Sequence, residues 1–203
     1  MNDAFWAQLS AALDPSNHSW DQRVETGDWP QAGVLVVLSD EAEPTVLLGR
    51  RARHLKNHPG EVAFPGGKRE PHDVSAVATA LRESDEEVGL TAERVTLLGE
   101  LPPLITRTGF QVFPCVGRVA TGFEPVIDPS EFDSVFRPTL KTFADASIYR
   151  LEKMSDGTRT RMVPHYQVGA DNVWGVTAAI LVLLANVAYD AGLDLQRDWE
   201  SAP

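Results

Sequence analysis

Three glutamates and an arginine lie close together in one helix-favouring stretch of this 203-residue chain: Arg82, Glu83, Glu86 and Glu87, followed by Gly89. Offsets of three and four residues place the three carboxylates on one face of a helix. Like charges at that spacing cost about 0.2–0.5 kcal/mol per pair, so the face favours a cation between them. A hard divalent ion such as Mg²⁺ suits carboxylate oxygens and is commonly held together with substrate phosphates. Solvated acidic helix faces share this spacing, so the surrounding sequence has to decide.

A dense basic segment, Gly49 to Lys56, precedes this stretch and contains Arg50, Arg51 and Arg53. The chain as a whole carries a formal net charge of −11 at pH 7, which argues against general affinity for nucleic acid or an anionic membrane. A phosphate-rich substrate would therefore need local positive charge. The basic segment can supply that charge, although most such runs are solvated loops.

A glycine-rich turn, residues 64–67, connects the basic segment to the acidic stretch. It reads Phe64-Pro65-Gly66-Gly67. Proline fixes φ, and paired glycines let the backbone come close to a metal or a phosphate. The simpler interpretation is a loop between a strand at residues 61–64 and the helix.

Residues 82–90 resemble the C-terminal half of the Nudix box, and Gly67 and Asp73 stand where that box has its glycine and first glutamate. Two departures are visible. Eight residues separate Asp73 from Arg82 where the general pattern has seven, and Ser84 replaces an aliphatic residue. Both departures resemble the coenzyme A pyrophosphatase branch of the Nudix hydrolase family.

Two further segments resemble that branch. Residues 47–67 are similar to a signature found beside the box, with Gly49 in place of threonine and Lys56 in place of arginine. The residues that match it are Leu47, Leu48, Arg51, Ala52, Gly60, Phe64, Pro65, Gly66 and Gly67. Trp174-Gly175-Val176-Thr177-Ala178 resembles an element at the end of such domains. The joint match is more specific than any one motif.

The resemblance implies a metal-dependent hydrolase that cleaves the pyrophosphate bond of coenzyme A, or its acyl or oxidised derivatives, to 4′-phosphopantetheine and adenosine 3′,5′-bisphosphate. It implies Mg²⁺ or Mn²⁺ as cofactor. The implied metal ligands are Glu83, Glu86, Glu87 and the carbonyl of Gly67. The implied catalytic residues are Glu83, Glu86 and Arg82, and the implied substrate contacts are Arg51, Lys56, Phe64 and Gly66.

Several alternatives remain open at this point. The general base is either Glu83 or a residue from a distant loop, such as Glu131. The substrate is alternatively ADP-ribose, a dinucleoside polyphosphate or a nucleoside triphosphate. A third possibility is a nucleotide-binding sensor without catalysis, although such domains usually have broken carboxylate sets. The expected partner is a small molecule, with no nucleic acid and no membrane, and the sequence does not determine the oligomeric state.

The fold class that the resemblance implies is α/β, a Nudix-type α/β/α sandwich with a mixed, curved sheet between helices. We expect a helix and loop at residues 1–30, the hydrolase domain at 31–195 and a tail at 196–203. The carboxylate helix is expected to pack through Val74, Val77, Ala78 and Leu81. The N-terminus lacks the pattern of a secretory signal and the apolar run 173–188 is short for a membrane span, so we predict a cytoplasmic protein.

Local patterns predict the remaining elements. Phe5, Leu9 and Leu13 recur at helical spacing. A strand is expected at Gly33–Leu38 with a hairpin partner at Thr45–Leu48. Further expected elements are a loop at 17–29, strands at 94–104 and 110–120, a short helix at 138–146, a hairpin of 147–154 with 161–168, and a last helix opening at Asn172. The single cysteine, Cys115, lies in an apolar run and is expected to be buried.

Overall fold

The computed structural model describes residues 3–15, 29–106, 109–155, 157 and 160–195. The helices among them are α1 Asp3–Ala12, α2 Ala76–Val88 and α3 Gly175–Tyr189. The strands are β1 Gln31–Ser39, β2 Leu48–Arg51, β3 Val62–Ala63, β4 Gly66–Lys68, β5 Val95–Glu100, β6 Leu104–Ile105, β7 Gln111–Val119, β8 Phe132–Phe136, β9 Tyr149–Ser155, β10 Thr160–Val168 and β11 Asp171–Trp174. Short 3₁₀ helices occupy Ala92–Arg94, Leu140–Ala144 and Ala146–Ile148.

The central sheet has the order β4-β1-β7-β5, with β6 paired to β7. Strands β1 and β7 are parallel along their whole length, and the other pairs are antiparallel, so the sheet is mixed. Leu35 and Val37 of β1 face the core on the α2 side, whereas Val36 and Leu38 face the core formed with α1 and α3. Burial on both faces explains the continuous apolar run. The predicted α/β/α sandwich is confirmed.

Helix α2 begins and ends where its sequence provides caps. The Ser75 hydroxyl accepts a hydrogen bond from the Ala78 N–H at 3.1 Å, which satisfies one of the free donors of the first turn. Gly89 closes the helix with φ of 65°, and its N–H donates to the Asp85 carbonyl. A left-handed residue at this position is most easily a glycine. The helix is therefore fixed at both ends by its own sequence.

The face through which α2 packs differs from the prediction. Val77 is buried as expected, but Val74 is 71% exposed and precedes the helix. The fully buried face is built instead from small residues, among them Ala80 and Ser84. A Cβ on Gly33 of β1 would collide with the backbone of α2. The helix lies so close to β1 that only small side chains fit directly beneath it, while Val77 and the partly buried Leu81 pack beside that contact as predicted.

Two antiparallel three-stranded sheets flank this core, in the orders β3-β2-β8 and β11-β10-β9. The predicted β9–β10 hairpin is confirmed. Thr45–Leu48 is not a full hairpin partner of β1, since only a bridge between Leu38 and Val46 forms and β2 joins another sheet. Residues Asn172–Trp174 also depart from the prediction, because they form β11 and the helix begins only at Gly175.

The remaining predicted elements are largely in place. Trp6, Leu9 and Leu13 of the α1 region are buried in the core, as is Cys115. Strand β7 is buried on both faces rather than alternating. No helix in the described part of the chain is long and apolar enough to cross a membrane. The expected tail 196–203 and most of the expected loop 17–29 lie outside the described residues.

Candidate active site

Glu87 is the most deeply buried acid on helix α2, with 3% of the residue exposed. Its Oε2 accepts a hydrogen bond from the Gly66 N–H at 2.9 Å. Burial raises the pKa of Glu87 to about 8, and the negative charges of Glu83 and Glu131 contribute to the rise, while the Gly66 N–H and Arg51 oppose it. One N–H group and Arg51 offset only part of the cost of burying this carboxylate, so a bound cation would stabilise its ionised form.

The glycine turn brings backbone against these acids. Gly66 has φ of 148°, and a Cβ there would run into the backbone of Gly33 and Val34. A Cβ on Gly67 would collide with the Glu83 carboxyl group. Gly66 is thus required by its backbone conformation and by the closeness of β1, whereas a side chain at position 67 would have to displace only the end of the Glu83 side chain.

Arg82 connects the acids of the site to one another. Its Nη2 donates to Glu83 Oε1 at 3.0 Å and its Nη1 donates to Glu86 Oε2 at 3.2 Å. Arg82 and Glu86 are four residues apart, so this contact joins neighbours on one face of α2. Arg82 also donates to Asp73 through Nε and Nη2, at 3.2 and 3.1 Å, and to the Lys68 carbonyl. These bonds fix the guanidinium, and the guanidinium in turn orients two carboxylates.

Asp73, whose role the sequence left open, anchors this network. It is buried and accepts hydrogen bonds from the Glu70 N–H and the Thr79 hydroxyl, both at 2.8 Å. Burial alone would raise the pKa of Asp73, but the hydrogen bonds from Arg82, Glu70 and Thr79 outweigh it and hold the pKa below its ordinary value. Asp73 thus stays charged and holds Arg82 in place.

The predicted metal ligands Glu83 and Glu86 differ in their surroundings from Glu87. Glu83 is half-buried, and burial raises its pKa as well, against the effect of Arg82. Glu86 is more exposed and bonds Arg82. Within the described ranges, no three His, Cys, Asp or Glu side chains form a ready metal-binding group. Carboxylate oxygens close to a main-chain turn are nevertheless the type of ligand that Mg²⁺ or Mn²⁺ prefers.

The basic segment divides into residues with different environments. Arg51 is half-buried, its Nη2 lies 3.5 Å from Glu131 Oε2, and its Nε is buried without a hydrogen-bond partner. Arg50 is bound to Asp171 through two short hydrogen bonds. Arg53 and Lys56 are exposed. Of the two predicted cationic contacts, Arg51 lies beside Glu131 and opposes the rise in the pKa of Glu87, whereas Lys56 is exposed.

Phe64 is placed differently from its predicted role. Only 4% of the residue is exposed, and its ring belongs to the core shared with α3. The side chain therefore anchors the glycine turn to the core. Almost none of Phe64 is exposed for contact with a substrate. Phenylalanine next to a functional glycine pair is a packing residue here.

Glu131 reaches the site on a loop that is attached to the end of α2. The Val126 and Asp128 N–H groups donate to the Val88 and Glu87 carbonyls at 3.0 and 2.9 Å. The Ala52 N–H donates to the Glu131 carbonyl at 2.8 Å. From the sequence, Glu131 was only one candidate for the general base. Main-chain hydrogen bonds position its loop, and such bonds leave no motif in the sequence.

Comparison with known proteins agrees with this geometry. The NUDIX domain model matches residues 29–152, and the chain therefore belongs to the Nudix hydrolase family. It is similar to a protein from Yersinia enterocolitica named "Uncharacterized Nudix hydrolase NudL", with 40% identity over 76% of this chain and 79% of the relative. A protein of the same name from Photorhabdus laumondii is 38% identical over 76% of this chain and 82% of its own length.

Among solved structures, the fold is similar to that of a MutT/nudix family protein from Enterococcus faecalis. The TM-score is 0.52 at 18% identity, covering 84% of this chain and 67% of the other. The protein is thus an enzyme that hydrolyses a pyrophosphate bond in a small-molecule substrate, and Nudix hydrolases generally use a divalent ion such as Mg²⁺ or Mn²⁺. The family match contains the basic segment, the glycine turn and α2.

Proposed function

We propose that this protein hydrolyses the pyrophosphate bond of coenzyme A and of its acyl or oxidised derivatives, and that it does so in the cytoplasm. The products would be 4′-phosphopantetheine and adenosine 3′,5′-bisphosphate. The observation that carries this proposal is Arg51. It belongs to the segment that resembles the coenzyme A pyrophosphatase signature, and it keeps a buried, unpartnered Nε close enough to influence Glu87. An unsatisfied buried donor is costly unless a ligand completes it.

The residues proposed to hold a divalent ion are Glu83, Glu86, Glu87 and the carbonyl of Gly67. When bound, such an ion neutralises charge on the pyrophosphate and makes an attacking water more acidic. The chain supplies the positioning. Gly66 fixes one oxygen of Glu87, and Arg82 orients Glu83 and Glu86.

Binding of the anionic substrate is proposed to fall to Arg51, with Lys56 as a second, weaker contact. The Arg51 guanidinium approaches Glu131 at 3.5 Å, which is long for a charge-assisted hydrogen bond, so it can turn to a phosphate at little cost. Lys56 is exposed and has to be ordered on binding, which costs side-chain entropy. The backbone N–H of Gly66 already donates to Glu87, so we expect Gly66 to shape the pocket more than to bind the substrate.

Two acids remain candidates for the general base. Glu83 already accepts a hydrogen bond from Arg82 and packs against Gly67. Glu131 lies across the site, is partly exposed and contacts Arg51. Separate Glu83→Gln and Glu131→Gln variants decide between them, since loss of the base removes the acidic limb of the pH–rate profile of kcat while loss of a binding residue raises KM.

A competition assay tests the proposed substrate directly. The full chain with Mg²⁺ is given coenzyme A and ADP-ribose together, and both products are followed by chromatography. We expect coenzyme A to be cleaved with the higher kcat/KM and adenosine 3′,5′-bisphosphate to be released. Preferential cleavage of ADP-ribose, a dinucleoside polyphosphate or a nucleoside triphosphate would overturn the proposed specificity. Binding of a nucleotide without turnover of any of them would favour a sensor.

A further inference from the structure

Residues of the C-terminal elements β11 and α3 contact the strand that leads into the glycine turn, although the family match ends at residue 152. The Thr177 hydroxyl donates a hydrogen bond to the Val62 carbonyl at 3.0 Å, and Thr177 is 6% exposed. A buried hydroxyl in an apolar helix needs such a partner. The first turn of α3 is therefore attached directly to β3.

A second attachment joins the same two regions. Arg50 donates through Nε and Nη2 to both carboxylate oxygens of Asp171, at 2.7 and 2.6 Å, and its guanidinium lies over the Phe136 ring. Arg50 is the residue of β2 that pairs with Val62 of β3. A planar two-pronged contact of this kind fixes orientation as well as distance. Thr177 thus holds β3 directly, and Asp171 holds it through Arg50 of the paired strand β2.

From Val62 the chain needs only four residues to reach Gly66, whose N–H donates to Glu87. Between them, Phe64 is buried and the Pro65 carbonyl accepts from the Leu35 N–H at 2.8 Å. This connection is short, and both of its residues outside the strands are held, Phe64 by the core and Pro65 by the bond to Leu35. A shift of β3 is therefore transmitted to the Gly66 amide.

We propose that Thr177 and Asp171 are positioning residues of the active site, which hold β3 so that the Gly66 N–H meets the Glu87 carboxylate. The inference rests on the proposed role of Glu87 as a metal ligand. Under this proposal, the segment Trp174–Ala178 helps to position the glycine turn, a role that its sequence alone does not indicate. Neither residue contacts the carboxylates, so both act through the backbone of residues 62–66.

Isosteric substitution in the full-length protein tests this. Thr177→Val removes the hydroxyl and keeps the volume, and Thr177→Ser restores the hydroxyl. Tyr166→Phe is the matched control, because the Tyr166 hydroxyl also donates to a buried main-chain carbonyl, that of Phe143 at 2.9 Å, which does not belong to β3. The first measurement is amide hydrogen exchange of Gly66 by NMR on the metal-free protein, normalised to global stability. The second is Mn²⁺ affinity by calorimetry.

For Thr177→Val we expect Gly66 exchange to rise and Mn²⁺ affinity to fall, each by roughly three- to tenfold, as for the loss of one buried hydrogen bond. Thr177→Ser should restore both values, and Tyr166→Phe should leave both unchanged after normalisation. Asp171→Asn, which keeps the shape but weakens the Arg50 contact, should shift both quantities in the same direction as Thr177→Val. It remains informative if Thr177→Val does not fold.

Equal Gly66 exchange in Thr177→Val and Tyr166→Phe would overturn the inference. Exchange that rises without any change in Mn²⁺ affinity would instead leave the attachment in place and refute the proposed role of Glu87. Neither measurement depends on which pyrophosphate compound is the substrate. A failure of the coenzyme A assay is therefore distinguishable from a failure here.

Discussion

The carboxylate helix and the basic segment differ in how firmly the fold holds their charged groups. On α2, main-chain and guanidinium contacts fix Glu83 and Glu87, and Asp73 fixes Arg82 in turn. In the basic segment, the contacts weaken along the chain, from Arg50 bound on two oxygens, through Arg51 at 3.5 Å from its partner, to an exposed Lys56. The rigid region is suited to the reaction shared by the family, and the adaptable region to recognition of a particular substrate.

This comparison predicts where mutations act. Charge on α2 is preorganised, so its removal should mainly lower kcat. The cations of the basic segment gain a close partner only when the substrate binds, so the removal of one of them should mainly raise KM.

The largest effect is expected from Glu86→Gln and Glu87→Gln. Each removes a proposed metal-ligand charge, and kcat at saturating Mg²⁺ should fall by about two to four orders of magnitude, since metal positioning supplies much of the transition-state stabilisation. Steady-state kinetics with a chelator control measures this. Asp85→Asn changes an exposed acid of the same helix and should leave kcat nearly unchanged. Full activity of the Glu87 variant would contradict its assignment as a metal ligand.

The stability of the metal-free protein should depend on pH through Glu87. Its pKa is raised from 4.5 to about 8 in the folded state, so the folded protein binds this proton more tightly than the unfolded chain does. The stabilisation is present below pH about 4.5 and is lost as pH rises to about 8, and a pKa shift of this size corresponds to about 5 kcal/mol. Thermal unfolding across this range, with and without Mg²⁺, measures it.

Two controls sharpen that measurement. Glu87→Gln has no such proton and should flatten the profile, and Mg²⁺ should restore stability at the alkaline end because it binds the ionised carboxylate. If the stability of the wild type depended on pH as little as that of the variant, ionisation of Glu87 would not destabilise the folded protein.

Arg51→Ala should raise KM for coenzyme A roughly ten- to a hundredfold with a smaller effect on kcat, as for loss of a charge-assisted phosphate contact. Arg53→Ala, an exposed neighbour in the same segment, is the matched control. Repeating both with dephospho-coenzyme A locates the contact. A loss confined to coenzyme A assigns Arg51 to the 3′-phosphate, and equal losses assign it to the pyrophosphate.

Lys56→Ala should have the smallest effect, a rise in KM of about two- to fivefold, because an exposed flexible ammonium contributes little. Lys56→Arg, which provides the residue usual in the signature, should lower KM below that of the wild type. An effect of Lys56→Ala as large as that of Arg51→Ala would mean that the substrate orders the whole basic segment. The contacts would then not weaken from Arg50 to Lys56 in the bound state.

Much of this arrangement was predictable from residues that act locally. The helix that carries the carboxylates, its end at Gly89 and the need for glycine at position 66 follow from the spacing and backbone freedom of neighbouring residues. The contact between Arg82 and Glu86 has the same origin, because four residues along a helix make neighbours.

What the sequence did not predict depends on residues far apart in the chain. Arg50 was a candidate for phosphate binding until Asp171, 121 positions away, was seen to bind it. Phe64 was misassigned because a motif does not show which side of the chain the core lies on. Val74 was misassigned because the helix begins only at Ala76, after the Ser75 cap, so Val74 is not part of the helical face.

The loop bonds at the end of α2 have an electrostatic consequence of their own. The last carbonyls of a helix carry its negative pole, and on α2 these lie beside acids that an anionic substrate has to approach. Two loop N–H groups cover the Glu87 and Val88 carbonyls, so they cancel part of that pole. A deletion between residues 126 and 128 would uncover it, and the substrate would then be repelled by the backbone itself.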